Sequence, residues 1–407
     1  MVIAALQKFL AMERASSWLL IGAAVLALVL TNSAVGDLWL SFWKTSTPLH
    51  LPTGFATLAL PNYLGAWVKD GLMSIFFVLV GLEMKRELVL GHLRQRAQAL
   101  LPLLAAIGGM AVPAAIYAAF NAHNPATAHG WAIPCATDIA FALGVLGLLG
   151  NRVPPALKVL LLAIAIFDDL GAILIIALFY TGAEAPVQPL WLMMAAGFLL
   201  LWRAAWQDRG TPRAPWPLRL LLGLGVWLAM LPSGIHPSVG AVALALLVPV
   251  HNHHRPTKDS PLIALEHRLH PWVAFGIMPL FALANAGIPF ADVASAGADS
   301  AVLWGVALGL LIGKPIGIAG TIFLADISGI ARRPSGISWP MIVGMGLIAG
   351  IGFTMSLFVT MLAFPVGDAA DIGAAKAGVL VGSILASAFG LALLARVLPF
   401  THQKSRP

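Results

Sequence analysis

The sequence predicts an all-α membrane protein of about twelve transmembrane helices, and three observations predict it. Only 10% of its 407 residues are charged and 59% are hydrophobic, whereas soluble domains carry about 25% charged residues. Apolar stretches long enough to cross a hydrocarbon core, about 17 residues or more, recur from Trp18 to Val397. The cationic residues fall almost entirely on one side of the membrane once those stretches are threaded through it.

Helices are expected at 15–31, 66–84, 99–120, 132–149, 155–179, 188–205, 217–231, 236–250, 262–287, 301–325, 339–363 and 374–396. One side then takes Lys8, Arg14, Lys85, Arg86, Arg94, Arg96, Arg152, Lys158, Arg203, Arg209, Arg213 and Arg219. It also takes Arg255, Lys258, Arg268, Arg332, Arg333, Arg396, Lys404 and Arg406. The other side keeps only Lys44, Lys69 and Lys376, and Lys314 falls in mid-membrane. By the positive-inside rule both termini are cytoplasmic. The net charge of +7 is therefore a topology signal, and no nucleic-acid partner is expected. Moving one helix would scramble the alternation, so the charges support the helix assignment itself.

The chain reads as one integral membrane domain, 1–407. An inverted-repeat core is expected at 99–179 and 301–396, with connecting and interface elements at 1–98 and 180–300. The segment from Trp18 to Thr31 reads as a retained first helix, since no small-residue cleavage pattern follows its long polar leader. Between Asn32 and Asn62, a β-compatible run from Leu49 to Leu60 lies among Pro48, Pro52, Gly54 and Pro61, which predicts a small extracytoplasmic β-hairpin. Gln207 to Pro217 is a proline- and arginine-rich connector, and the tail after Phe400 is expected to fray. The lone Cys135 excludes an intramolecular disulfide framework and reads as a small packing residue.

A shift of 217 residues sets Thr137 on Thr354, and the helix 155–179 on 372–396. Both threonines sit in spans interrupted by small and polar residues, Pro134-Cys135-Ala136-Thr137-Asp138 and Gly350-Ile351-Gly352-Phe353-Thr354. Interrupted spans in corresponding positions of two halves point to crossed, broken helices around a transport site at the bilayer midplane.

Four ionisable residues lie deep in apolar spans: Asp138, Asp168, Asp169 and Lys314. Each such charge costs roughly 2.5–3.5 kcal/mol at a helix centre, or about 10 kcal/mol for the four if lipid-exposed. They must face protein, water or each other. One lysine cannot neutralise three carboxylates, so at least one carboxylate is a proton or cation site. Adjacent helical residues point about 100° apart, so Asp168 can face a neighbouring helix while Asp169 faces an ion. A hard cation also wants hydroxyl and carbonyl oxygens, by analogy with calcium and magnesium sites. Thr137 and unwound backbone near Ala136 and Gly352 can supply them. Asp138 suits the positive N-terminal ends of broken helices and Lys314 the negative C-terminal ends; pairing of Lys314 with Asp168 is the competing expectation.

At the cytoplasmic end of the second span, Glu83, Arg86 and Glu87 are spaced to share a helical face. Glu266, His267 and His270 open the ninth span at similar spacing. An ordinary solvated helix end accounts for this spacing as well as a pH-sensing cluster does. His236, beside Pro237, reads as a capping or interface histidine and is grouped with the same pH-sensing set. His251, His253 and His254 lack cysteine or carboxylate partners at ligand spacing and read as loop histidines.

GLEMKREL from Gly81, ATDIAFALG from Ala136, IFDDLGAI from Ile166, LEHRLHPW from Leu265, GKPIGI from Gly313 and GIGFTMS from Gly350 lie in consistent order over most of the chain. In these stretches the sequence resembles the NhaA family of sodium/proton antiporters. The resemblance implies Asp169 as the principal sodium ligand, with Asp168 linked to proton transport and to Lys314. It implies Thr137 and Asp138 in a crossed-helix assembly, and Glu83, Arg86, Glu87, Glu266 and His267 in alkaline activation. It further implies a homodimer partly made by the extracytoplasmic hairpin, in a bacterial inner membrane. Cys135 stands where that family usually has alanine, as does Pro237.

The expected function is electrogenic exchange of cytoplasmic sodium or lithium for protons, regulating cytoplasmic pH and sodium. The chain is not expected to be an enzyme or to need a cofactor; sodium or lithium ions and protons are its cargo, and lipid its solvent. No G-x-x-x-x-G-K-[ST] phosphate loop is present. Two other classes compete. An intramembrane aspartyl hydrolase needs two carboxyls converging on one water, which Asp138 and Asp169 could supply. A passive cation channel needs only a lined path.

Overall fold

The computed structural model describes residues 2–52, 57–181, 186–206, 215–250, 260–297, 300–364 and 369–398, with side chains described except at 2–14, 50–52, 57–59, 92, 295 and 296. The described chain is almost entirely helical. The principal helices are α1 (Val2–Thr31), α2 (Gly36–Trp43), α3 (Leu64–Val89), α4 (Arg96–Asn121), α5 (Pro125–Cys135), α6 (Ile139–Gly147), α7 (Pro155–Phe179) and α8 (Pro189–Trp206). After them come α9 (Trp216–Met230), α10 (Pro237–Leu247), α11 (261–285), α12 (Phe290–Ala296), α13 (Ala301–Ile327), α14 (Trp339–Ala349), α15 (Phe353–Ala363) and α16 (Ala369–Val397). Two short strands, β1 (His50–Pro52) and β2 (Thr57–Ala59), pair antiparallel with Leu51 opposite Leu58.

Among the described residues, six helices are long and apolar enough to cross a membrane, and up to nine spans result if each of three bent pairs counts as one. Two of those pairs matter most. Helices α5 and α6 meet at 46° and α14 and α15 at 49°, each across a break of a few residues. Pro134 and the paired glycines Gly350 and Gly352 explain why helix does not continue there. The third pair, α1 and α2, folds back by 118°.

Several boundaries differ from the sequence expectation. Helix α1 begins at Val2 rather than 15, because helix propensity carries backward through a leader that hydropathy discounts. Helices α2 and α12 lie in segments read as loops, being too short to register in a membrane-length window. Among the described residues, three helices carry a widened π turn: Trp67–Leu72 in α3, Val273–Ile277 in α11 and Gly309–Gly313 in α13. In the last two a proline follows, Pro279 and Pro315, which removes the N–H that a carbonyl four residues earlier would receive.

The chain forms two compact units. One comprises Met1–Gly22, Gln95–Ala172 and Ile288–Pro407, and the other Ala23–Arg94 and Ile173–Gly287. In the first, α4 packs against α13 so closely that a Cβ at Gly108 or Gly317 would strike the other's backbone or side chains. Small residues permit such approach where lipid supplies no hydrophobic drive between helices. In the second, α3 packs on α10, with Gly81 against Ala245 and Val242, and α8 packs on α9 around Trp191, Trp202, Trp206 and Val226.

Candidate functional site: two helix breaks joined at a buried ion pair

The first unit holds the site. Asp138 and Thr137 occupy the α5–α6 break, Asp168 and Asp169 the middle of α7, Lys314 the residue after the π turn of α13, and Thr354 the start of α15. All six side chains are buried; Asp168 and Lys314 are 0% exposed and Asp169 2%.

Both breaks are stitched to each other by polar contacts. The Asp138 N–H donates to the Ile351 carbonyl at 2.7 Å. The Asp138 carboxylate is the N-cap of α6, where Oδ1 accepts from the Phe141 N–H at 3.0 Å. Its other oxygen accepts from the Thr354 N–H at 3.1 Å and the Thr354 hydroxyl at 2.5 Å. One anion thus satisfies first-turn donors of two helices, whose positive ends favour it.

Lys314 Nζ donates to Asp168 Oδ2 at 2.5 Å and to Thr137 Oγ1 at 2.8 Å. Thr137 Oγ1 in turn lies 2.7 Å from Asp168 Oδ2 and 2.9 Å from the Ala349 carbonyl, the last of α14. Of the two expectations for Lys314, the structure realises the pair with Asp168. Desolvating both charges is offset only because the geometry is close and further hydrogen bonds are present. Asp168 Oδ1 has no hydrogen-bond partner among the described residues, which leaves acceptor capacity for a proton or cation. Among the described residues no three His, Cys, Asp or Glu side chains converge as a metal cluster. A cation here would therefore draw on hydroxyl and carbonyl oxygens as well as carboxylate.

The second unit carries the other predicted residues. Arg86 donates to Glu266 at 2.6 Å and lies 3.0 Å from Glu87, so the structure brings α3 and the start of α11 together through one guanidinium. Glu266 is 4% exposed; Glu83 and His270 are half-buried and His267 exposed. His236 is not in this cluster. Its Nδ1 accepts from the Ser238 N–H at 3.2 Å, capping α10, and its Nε2 lies 3.5 Å from Asp70. Asp70 and Glu87 stand at opposite ends of α3, roughly 25 Å apart along the axis at 1.5 Å per residue. His251, His253 and His254 lie outside the described residues.

Sequence reasoning missed three groups. Asp70 and the buried Lys69 form a pair at 3.6 Å inside the π turn of α3, but they read as a span edge. Lys85 donates to the Leu246 and Val248 carbonyls at 2.6 Å, capping the end of α10. Arg152 does the same for the Ala395 and Leu398 carbonyls at the end of α16. Only the excess of cations at helix C-termini could have signalled the last two.

Interrupted membrane helices bonded at buried charges define the class: a polytopic secondary transporter, in which irregular backbone is tolerated at depth because protein covers it. Residues 7–394 match the family described as Na+/H+ antiporter 1, and the chain belongs to that family. It is 48% identical over 395 residues to the Na(+)/H(+) antiporter NhaA of Cronobacter sakazakii, covering 97% of this chain and 98% of that one. It is 46% identical over 389 residues to the NhaA antiporter of Pseudomonas fluorescens, with 95% of each covered. Against the NhaA antiporter of Yersinia enterocolitica, identity is 46% over 394 residues and 97% of each.

Proposed function

We propose that this protein exchanges sodium ions for protons across the membrane, electrogenically, and accepts lithium as an alternative cation. The observation that carries the reading is the buried Lys314–Asp168–Thr137 cluster at two bonded helix breaks, in a chain whose relatives are named Na(+)/H(+) antiporters. Asp169, with Asp168, takes the cation or protons but not both, and Thr137 contributes an oxygen. Asp138 offsets the helix ends. Lys314 compensates Asp168 between ion-bound states, so a carboxylate is never left alone in low dielectric. Commitment of both Asp138 oxygens to the Phe141 and Thr354 donors disfavours its use in a hydrolytic dyad with Asp169.

The finer architecture is part of the same reading. Twelve spans result when α1, α3, α4, α7, α8, α9, α10, α11, α13 and α16 each cross once and each of the pairs α5–α6 and α14–α15 crosses as one. The bends of 46° and 49° and the 217-residue echo support an inverted repeat. Glu83, Arg86, Glu87, Glu266, His267 and His270 form the cytoplasmic pH-sensing cluster, and His236 with Asp70 a separate extracytoplasmic one. The paired strands contribute to a homodimer in a bacterial inner membrane, both termini cytoplasmic.

The test is proton flux from reconstituted vesicles on addition of sodium, lithium or potassium across pH. Saturable sodium-driven flux that Asp169→Asn abolishes is the expected result. Intact saturable exchange in that variant would overturn the assignment.

A further inference from the structure

The Ala349 carbonyl is the last of α14, and in an unbroken helix it would accept from the Phe353 N–H. That N–H instead donates to Ser383 Oγ at 3.3 Å. The Thr137 hydroxyl, 2.9 Å away, stands in for it. The same hydroxyl lies 2.7 Å from Asp168 Oδ2 and accepts from Lys314. A threonine hydroxyl has one proton and two lone pairs. It can receive from Lys314 while donating to the carboxylate or to the carbonyl, but not to both fully.

We propose that Thr137 is a positioning residue whose hydroxyl proton couples the Lys314–Asp168 ion pair to the α14–α15 break. While Lys314 engages Asp168 Oδ2, that oxygen is already served and the Thr137 proton rests on the Ala349 carbonyl, holding the break. When Lys314 withdraws as a cation takes over its charge compensation, Oδ2 loses the ammonium's hydrogen bond and the carboxylate is the stronger acceptor. The hydroxyl rotates to it and the Ala349 carbonyl is released. No covalent bond changes; the break loosens because a buried acceptor loses its donor. The proposal deepens the antiporter reading, since it supplies the step by which the ion site moves backbone.

Amide hydrogen exchange of peptides spanning 346–356, in the purified full-length protein, tests it. Lys314→Met should raise exchange at the break about fivefold, the opening-equilibrium equivalent of one ordinary hydrogen bond. In a Thr137→Val background, Lys314→Met should add nothing further, and Thr137→Ser should restore the response. In an Asp168→Asn background, with Thr137 intact, Lys314→Met should also add nothing, because no carboxylate competes for the proton. This arm stands even if Thr137→Val fails to assemble. Equal increments in all backgrounds, or no increment with Thr137 and Asp168 present, would overturn the proposal. Sodium-driven proton flux of the unaltered protein is measured separately, so the latch and the antiporter reading can fail independently.

Discussion

Asp138 and Thr354 are joined by two hydrogen bonds although 216 residues separate them, the Thr354 N–H and hydroxyl both donating to Asp138 Oδ2. With Oδ1 committed to the Phe141 N–H, a single carboxylate holds the first turns of α6 and α15 in register. The two helix breaks are therefore one structural object rather than two irregularities.

That arrangement makes Asp138 separable into a capping part and a charge part. Asp138→Ala removes both, at about 1 kcal/mol for each of the two caps, and should lower the melting temperature in detergent. Asp138→Asn keeps one oxygen acceptor but turns an NH2 toward the other helix start, so it should lose about one cap, roughly 1 kcal/mol, while sodium-driven proton flux falls. Equal losses of stability in both variants would contradict the division.

The Lys314–Asp168 pair should obey the asymmetry of buried ion pairs. Either Lys314→Met or Asp168→Asn alone is expected to destabilise by about 3–5 kcal/mol, because an uncompensated or unsatisfied group stays buried. The combined variant should recover a large part of that loss. Thermal unfolding of the two singles and the double, read as a cycle, checks it.

Gly350 has no room to grow. A Cβ there would collide with the Leu310 carbonyl of the π turn and crowd Ala386, so Gly350→Ala should cost about 1–3 kcal/mol and disturb the break. Gly197, in α8, has nothing within 4 Å of the same position. Gly197→Ala should be neutral or stabilise by up to about 1 kcal/mol through helix propensity. Parallel melting curves decide whether the contrast holds.

Lys85 is expected to matter for stability through carbonyls rather than carboxylates. Lys85→Met removes charge-assisted bonds to the Leu246 and Val248 carbonyls. It should destabilise by about 1.5 kcal/mol, the low end for such bonds, since the lysine is half-exposed to solvent screening. Lys85→Arg should retain most of that stability, measured as the unfolding midpoint.

Much of this was legible in the residues themselves. Asp138, Asp168, Asp169 and Lys314 stood out because each is expensive in an apolar span. Their burial in the structure is what that cost demands. The interruptions at Pro134–Asp138 and Gly350–Thr354 were readable because proline and glycine are poor helix residues. The π turns were not readable, since one extra residue in a turn leaves composition unchanged. Lys69, Asp70, Lys85 and Arg152 escaped notice for a related reason. A charge near a span end looks solvated until a partner from a distant segment is seen.

The sequence alone determined which segments leave water and which side chains need shelter there, because both follow from transfer free energies that attach to residues one at a time. Only the tertiary structure decided the partners: Lys314 to Asp168 rather than to a helix end, Thr137 to both that pair and the Ala349 carbonyl, Asp138 to two helix starts at once. Those choices depend on contacts between residues as far as 216 positions apart. A one-dimensional pattern of hydropathy and spacing carries no information about which of several buried charges will meet.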